Sequence, residues 1–248
     1  MSECTIDNSR RNFVNKTSVA VAGLSIMPGV FLHSIAQAKP DDQPVSDKNR
    51  WGMLIDTNKC TDCGECVSAC NKENGITSNG PERQATDAQW IRKIKLKDKS
   101  NGHTLSLPMM CQHCEHPPCV DVCPTGASFR RDDGIVLVDK HICIGCRYCM
   151  MACPYKARSF IHETITDQKI HAPRGKGTVE SCTLCVHRID RNGAKATPAC
   201  VEACSDKAMI FGDLKDPFSE ISKDLKARGG KQIRADLGLN TGVRYRGI

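Results

Sequence analysis

A duplicated α+β fold, built as two small modules with one nested inside the other, is what the sequence predicts. Three observations predict it. Sixteen of the seventeen cysteines in the 248-residue chain fall into four groups of four. These are Cys60, Cys63, Cys66 and Cys70; Cys111, Cys114, Cys119 and Cys123; Cys143, Cys146, Cys149 and Cys153; and Cys182, Cys185, Cys200 and Cys204. The second observation is a repeated approach. Met53-Leu54-Ile55-Asp56 and Val136-Leu137-Val138-Asp139 are apolar strand patterns that stand at the same distance before Cys60 and Cys143. The third is a repeated exit. Pro118-Cys119-Val120-Asp121-Val122-Cys123 matches Ala199-Cys200-Val201-Glu202-Ala203-Cys204 nearly position for position, with Ala127 and Phe129 following one and Ala208 and Phe211 the other. The groups run A, B, A′, B′, the signature of an internal duplication.

The third group identifies the chemistry. It reads Cys-x2-Cys-x2-Cys-x3-Cys-Pro, ending at Pro154, the ligand run of a bacterial [4Fe–4S] ferredoxin. Three thiolates come from one loop, and the helix that follows carries the fourth away to the other cluster of the pair. On that rule Cys111, Cys114, Cys119 and Cys153 share one site, and Cys143, Cys146, Cys149 and Cys123 its neighbour. The outer groups close on each other: Cys60, Cys63, Cys66 and Cys204 form one site, and Cys182, Cys185, Cys200 and Cys70 another. The expected fold is a duplicated bacterial-type [4Fe–4S] ferredoxin. It has two nested two-cluster modules, loop insertions and a C-terminal tail, and its cofactors are four [4Fe–4S] clusters. Pro124 and Pro154 end their short helices, whereas Asn71 and Ser205 occupy those places in the outer pair.

Two other uses of cysteine fit less well. Disulfide frameworks seldom repeat such tight quartets. A Cys4 zinc site uses two separated pairs, which Cys182/Cys185 and Cys200/Cys204 resemble but a 2-2-3 run does not. One atypical centre, three-iron or metal-poor, is compatible with the same spacing. His113, His116 and His187 lie close to the cysteines. Since each group already has four thiols, packing or hydrogen bonding around the site is their expected role.

The chain carries a formal charge of +7. Sixteen thiolates and four cores of charge 2+ bring about −8 in total, so the loaded protein is expected near neutrality. The basic residues are scattered and only 4% of residues are aromatic, which argues against a nucleic-acid partner. The same scarcity of aromatics makes an ordinary hydrophobic core thin for this length.

Residues 1–38 read as an address. Arg10-Arg11 precedes an uncharged stretch from Thr17 to Leu32, and Ala36-Gln37-Ala38 places small residues before Lys39. This is a twin-arginine export signal. Iron–sulfur centres are assembled where thiols stay reduced and the fold forms around the metal, so such a protein must cross the membrane folded. The uncharged run continued to Ala38 is just long enough to span a bilayer, which makes a retained N-terminal anchor the alternative, although Pro28 and His33 interrupt it. Cys4 lies here and is not expected to be a ligand.

The remaining boundaries are read from pattern and composition. Residues 39–50 are a polar linker. Residues 51–80 and 177–215 form the outer module. Residues 81–110 are an insertion whose Trp90–Leu96 and Thr104–Leu107 runs predict a hairpin. Residues 111–165 form the inner module. Ser159-Phe160-Ile161 and Met209-Ile210-Phe211 are expected strands, and 162–179 an insertion with a basic tip at Arg174 and Lys176. Residues 216–248 are a tail with one helix over 219–227, either loosely packed or a docking strap for a partner. No nucleotide loop, P-loop or nucleophile elbow accompanies the cysteines, so the expected function is electron conduction without catalysis.

The chain resembles the four-cluster ferredoxin-like (NrfC/DmsB-type) iron–sulfur subunits of membrane-bound respiratory complexes. The resemblance covers about residues 50–215. It is carried by Cys111-Gln112-His113-Cys114, by Cys119-Val120-Asp121-Val122-Cys123-Pro124-Thr125-Gly126-Ala127, and by Pro198-Ala199-Cys200-Val201-Glu202-Ala203-Cys204. Residues 144–160 and the ending Gly242-Val243-Arg244-Tyr245-Arg246-Gly247-Ile248 look closest to the branch that serves a membrane complex of dissimilatory sulfur metabolism. That resemblance implies a periplasmic subunit held to the membrane by its partners in a hetero-oligomeric complex. The implied partners are a polytopic, NrfD-like, quinone-interacting membrane subunit and a periplasmic multihaem cytochrome c. The alternative within the family is the electron-transfer subunit of a molybdopterin-dependent reductase of the tetrathionate or polysulfide type.

Overall fold

The computed structural model describes residues 45–77, 84, 86–97, 99–100, 102 and 104–248. The expected export signal, Cys4 and half of the linker lie outside the described residues. Those described belong to one unit, Lys39–Ile248. No helix among them is long and apolar enough to cross a membrane.

Short elements alternate with cysteine loops. Strand β1 (Trp51–Asp56) and helix α1 (Glu65–Asn74) bracket the first loop, and the hairpin β2 (Arg92–Lys97) and β3 (Thr104–Met109) follows. Around the second and third loops lie α2 (Pro118–Asp121), β4 (Ser128–Arg130), β5 (Val136–Val138), α3 (Tyr148–Ala152) and β6 (Ser159–Phe160). The last loop lies among β7 (Val179–Glu180), α4 (Val186–Asn192) and α5 (Ala199–Glu202). Strand β8 (Met209–Asp213), α6 (Glu220–Arg228) and β9 (Val243–Arg246) complete the chain.

The strands pair by a simple rule. The strand leaving one cysteine group pairs antiparallel with the strand entering the next: β4 with β5, β6 with β7, and β8 with β1. The last pair joins the end of the fourth group to the start of the first. Between the first and second groups the β2–β3 hairpin stands instead, with Ile94 opposite Leu107. Strand β6 therefore links the third group to the fourth.

The helices after the loops differ in length. Where Pro124 and Pro154 follow the last cysteine, α2 and α3 stop after one turn, since proline supplies no N–H to continue the ladder. With Asn71 in that place, α1 runs on to Asn74 and ends at Gly75, whose φ of 63° closes the helix in the left-handed conformation. Ser205 does not extend α5, which ends at Glu202.

Strand β1 is buried along its whole length. Trp51 stacks on Phe211 of β8 at 5.5 Å. Its other edge is covered by the tail. Strand β9 pairs parallel to β1, setting Met53 opposite Val243 and Ile55 opposite Tyr245. Tyr245 is fully buried; its hydroxyl donates to the Pro108 carbonyl at 3.0 Å and accepts from Gln112 Nε2 at 3.1 Å. Before β9 the tail also reaches the second cysteine loop. The Glu115 N–H donates to Leu239 O at 3.0 Å, and the Gly242 N–H to Gln112 O at 2.8 Å. The tail is thus a strap, but one bound to the chain's own body. Leaving the β1 edge open would strand a row of buried backbone groups.

The basic tip also differs from expectation. Arg174 is buried, and its guanidinium forks onto Glu180, with Nε to Oε2 at 2.9 Å and Nη2 to Oε1 at 2.8 Å, while Nη1 donates to Gly75 O at 2.6 Å. Glu180 is wholly buried; a carboxylate there needs such a partner, and the arginine folds inward to supply it.

Candidate metal centres

Nine of the cysteines are part of the hydrophobic core. Cys66, Cys70, Cys111, Cys114, Cys119, Cys149, Cys153, Cys182 and Cys200 belong to the one cluster of buried apolar side chains. All sixteen thiols in the described residues are free. Three small cavities each gather four of them. The first is lined by Cys60, Cys63, Cys66 and Cys204, the second by Cys111, Cys114, Cys119 and Cys153, the third by Cys143, Cys146, Cys149 and Cys123. Cys182 lies close enough to Cys70, Cys200 and Cys185 for each thiolate to oppose its ionisation. Each set thus draws three cysteines from one group and the last from another.

The four loops share backbone geometry. The residue before the second cysteine is left-handed in every one: Asp62 at φ 64°, His113 at 44°, Gly145 at 70° and Leu184 at 53°. Such a turn folds successive N–H groups inward, the concave arrangement that binds anionic sulfur and phosphate sites. Gly145 is forced to be glycine twice over, because a Cβ there would lie 2.1 Å from the Gly177 carbonyl oxygen.

The last cysteine of every group accepts a donor from four or five residues on. The donors are Ser128 N–H to Cys123 at 3.4 Å, Ala157 N–H to Cys153 at 3.5 Å and Ala208 N–H to Cys204 at 3.3 Å. At Cys70, where the helix continues, the side-chain amide of Asn74 does the same at 3.7 Å. Hydrogen bonds to coordinated sulfur tune such centres.

Burial pushes Cys66 up to about 11 and Cys114 to about 12, and raises Cys70, Cys111, Cys182 and Cys200 further. Burial acts the same way on Cys123, but donors from Ser128 and Thr125 outweigh it and bring that thiol down to about 7. A metal entering these sites therefore displaces protons, and loading is favoured by rising pH. The fit to a thiolate-bound cluster is good. The donors are all sulfur, converge four at a time, and are backed by N–H groups that want an anion.

The histidines have roles in the shell. His113 is buried and its Nδ1 accepts from the Val136 N–H at 3.0 Å. Burial holds its pKa near 3, so the ring is neutral with its proton on Nε2. The Leu239 carbonyl takes the His116 N–H at 3.4 Å. His187 meets Glu73 at 2.8 Å. Glu73, His171 and His187 stand close enough to hold an ion, but Arg188 already grips both oxygens of Glu73, at 2.7 and 2.8 Å, and a cation would have to displace it.

Comparison with known proteins agrees with the geometry. Two profiles, each of a 4Fe-4S dicluster domain, match residues 59–127 and 103–214. The Hdr-like menaquinol oxidoreductase iron–sulfur subunit 1 of Archaeoglobus fulgidus is 44% identical over 96% of this chain and 97% of that protein. The chain belongs to the NrfC/DmsB-type family of iron–sulfur electron-transfer subunits. A tetrathionate reductase subunit of Salmonella typhimurium is 38% identical over 98% of this chain and 90% of its own. Protein NrfC of Escherichia coli is 40% identical over 76% and 77%. As an NrfC/DmsB-type subunit the chain binds [4Fe–4S] clusters and transfers electrons within a membrane-associated oxidoreductase complex, and it is not the catalytic subunit. Sequence reasoning passed over Arg158 and Asn74, which stand among the thiols. Their signal was register: Asn74 lies four residues and Arg158 five residues after the last cysteine of its group.

Proposed function

We propose that the chain carries four [4Fe–4S] clusters as a periplasmic electron relay between an NrfD-like, quinone-interacting membrane subunit and a multihaem cytochrome c. The complex would be the DsrO-containing membrane complex of dissimilatory sulfur metabolism. The observation that carries the cluster count is the fourfold recurrence of one loop geometry around four-cysteine sets. In this reading Cys60, Cys63, Cys66 and Cys204 hold cluster 1, and Cys182, Cys185, Cys200 and Cys70 cluster 2. Cys111, Cys114, Cys119 and Cys153 hold cluster 3, and Cys143, Cys146, Cys149 and Cys123 cluster 4. The two modules keep the boundaries given above. Bound clusters supply one-electron storage; the chain spaces them, excludes water and sets their potentials. Export by the twin-arginine route is supported by Arg10-Arg11 and by the need to fold around metal before crossing the membrane.

A second reading, the wire of a molybdopterin-dependent reductase, is favoured by the 38% identity to the tetrathionate reductase subunit across nearly the whole chain. Purifying the native protein from membranes in mild detergent and identifying the proteins that co-purify separates the two. A polytopic membrane protein with a multihaem cytochrome c supports the first reading. A large molybdopterin protein sinks it and moves the assignment to that partner's substrate.

A further inference from the structure

Arg158 is buried between two of the four-cysteine sets. Its Nη2 donates to Cys119 Sγ at 3.1 Å and its Nη1 to Ser128 Oγ at 2.7 Å. Cys111 and Cys149 are the other sulfurs near enough to favour its charge. Cys119 and Cys111 line one cavity and Cys149 the other. No carboxylate among the described residues pairs with this guanidinium, and its Nε has no partner. An isolated buried cation is expensive, so its counter-charge must come from what the thiols hold.

The outer sets are built the opposite way. Lys93 stands near Cys66 and Cys63, but its ammonium is bound to Asp62 at 2.6 Å. Arg188 stands near Cys185, but Glu73 neutralises it at 2.7 Å. The register sharpens the contrast. The fifth residue after the last cysteine is Gly75, Ser128, Arg158 and Met209 in the four groups, so the duplication places a cation there once. Its duplicate, Ser128, is the residue that anchors it.

We propose that Arg158 is the shared, unneutralised counter-charge of the two inner centres, and that it raises their reduction potentials relative to the outer pair. The inference rests on the reading that these thiols hold [4Fe–4S] clusters. Reduction adds one electron to a cluster without making or breaking a bond, and a cation in contact with its sulfur favours the more negative state. Net charge and hydrogen bonding to sulfur are known levers on such potentials. Electrons then rest on the inner pair in preference to the outer.

The test is a redox titration followed by electron paramagnetic resonance. It uses the full, cluster-loaded chain, with signals assigned by single Cys→Ser variants. Arg158→Gln is expected to lower the equilibrium constant for reduction of both inner centres about tenfold, 59 mV for one electron, and to leave the outer two in place. Arg158→Lys, which keeps the charge, should restore most of the loss. If iron content is normal and the inner potentials do not move, or all four move together, the proposal is overturned. If Arg158→Gln fails to load iron, Asp62→Asn tests the same rule from the other side. Freeing Lys93 should make the Cys60 centre easier to reduce, and no change there overturns the proposal. A wild-type protein with no four-iron signals would instead remove the cluster reading itself.

Discussion

The inner and outer cysteine sets share one loop geometry and differ in what surrounds it. Around the inner sets Arg158 stands bare against sulfur, and Arg147 and Lys140, which form no ion pair among the described residues, stand beside the Cys143 set. Around the outer sets each nearby cation is tied to a carboxylate, Lys93 to Asp62 and Arg188 to Glu73. The inner exits are cut short by Pro124 and Pro154; the first outer exit runs on as α1, and its Asn74 and Glu73 supply the donor and the acid. The metal loop thus recurs with one backbone geometry in all four groups. The residues a few positions later could diverge, because they touch the site only through charge and hydrogen bonds.

The largest expected effect tests how the sets are shared. Cys204→Ser should abolish the centre that includes Cys60, Cys63 and Cys66 and spare the one that includes Cys182, Cys185 and Cys200. Iron content and the magnetic resonance spectrum read the result, and loss of the Cys182 centre with the Cys60 centre intact would show the exchange of fourth ligands to be wrong. A smaller effect tests the strap. Tyr245→Ala empties a fully buried site beside β1 and should cost about 3–5 kcal/mol. Tyr245→Phe leaves Pro108 O and Gln112 without their partner and should cost about 1–2 kcal/mol. Both would appear as earlier loss of cluster absorbance on heating; equal melting of all three proteins would mean the tail adds nothing to the outer sheet.

The smallest effect is a dependence on pH. Arg188, and then His187, hold the Glu73 carboxyl down at about 2 although burial opposes them. A depressed carboxyl stabilises the fold above its unfolded value, about 4.3, and that stability is lost as pH falls toward 2. The pair is partly exposed, so about 1 kcal/mol is at stake. Glu73→Gln should therefore flatten stability between pH 5 and 2 (the window the depressed value defines), and an unchanged acid limb would show the pair to be immaterial.

Much of this was legible in residues close together along the chain. Ligand spacing and the Val136 and Met53 strands are local patterns. So are the Arg92–Met109 hairpin and the α6 helix, whose N-cap Ser219 accepts the Ser222 N–H through its hydroxyl. The expectations that changed were those that needed to know what a side chain or strand would meet. Arg174 looked like a solvated tip because Glu180 is invisible as its partner until the insertion folds back. The tail looked unanchored because VRYR carries two arginines in four residues. Only the parallel pairing to β1 shows that Val243 and Tyr245 face inward while Arg246 reaches Asp224 and Asp56.

By itself, then, the sequence determined the chemistry of the centres, since four thiols at fixed short spacing leave a metal few other ways to be bound. It also carried the repeats, which are written in the residues themselves. Only the tertiary structure decided the electrostatics around each centre. Charges act through space, and Arg158, Lys93 and Arg188 read alike in the sequence; which of them is left unneutralised depends on whether Asp62, Glu73 or no carboxylate is folded against it.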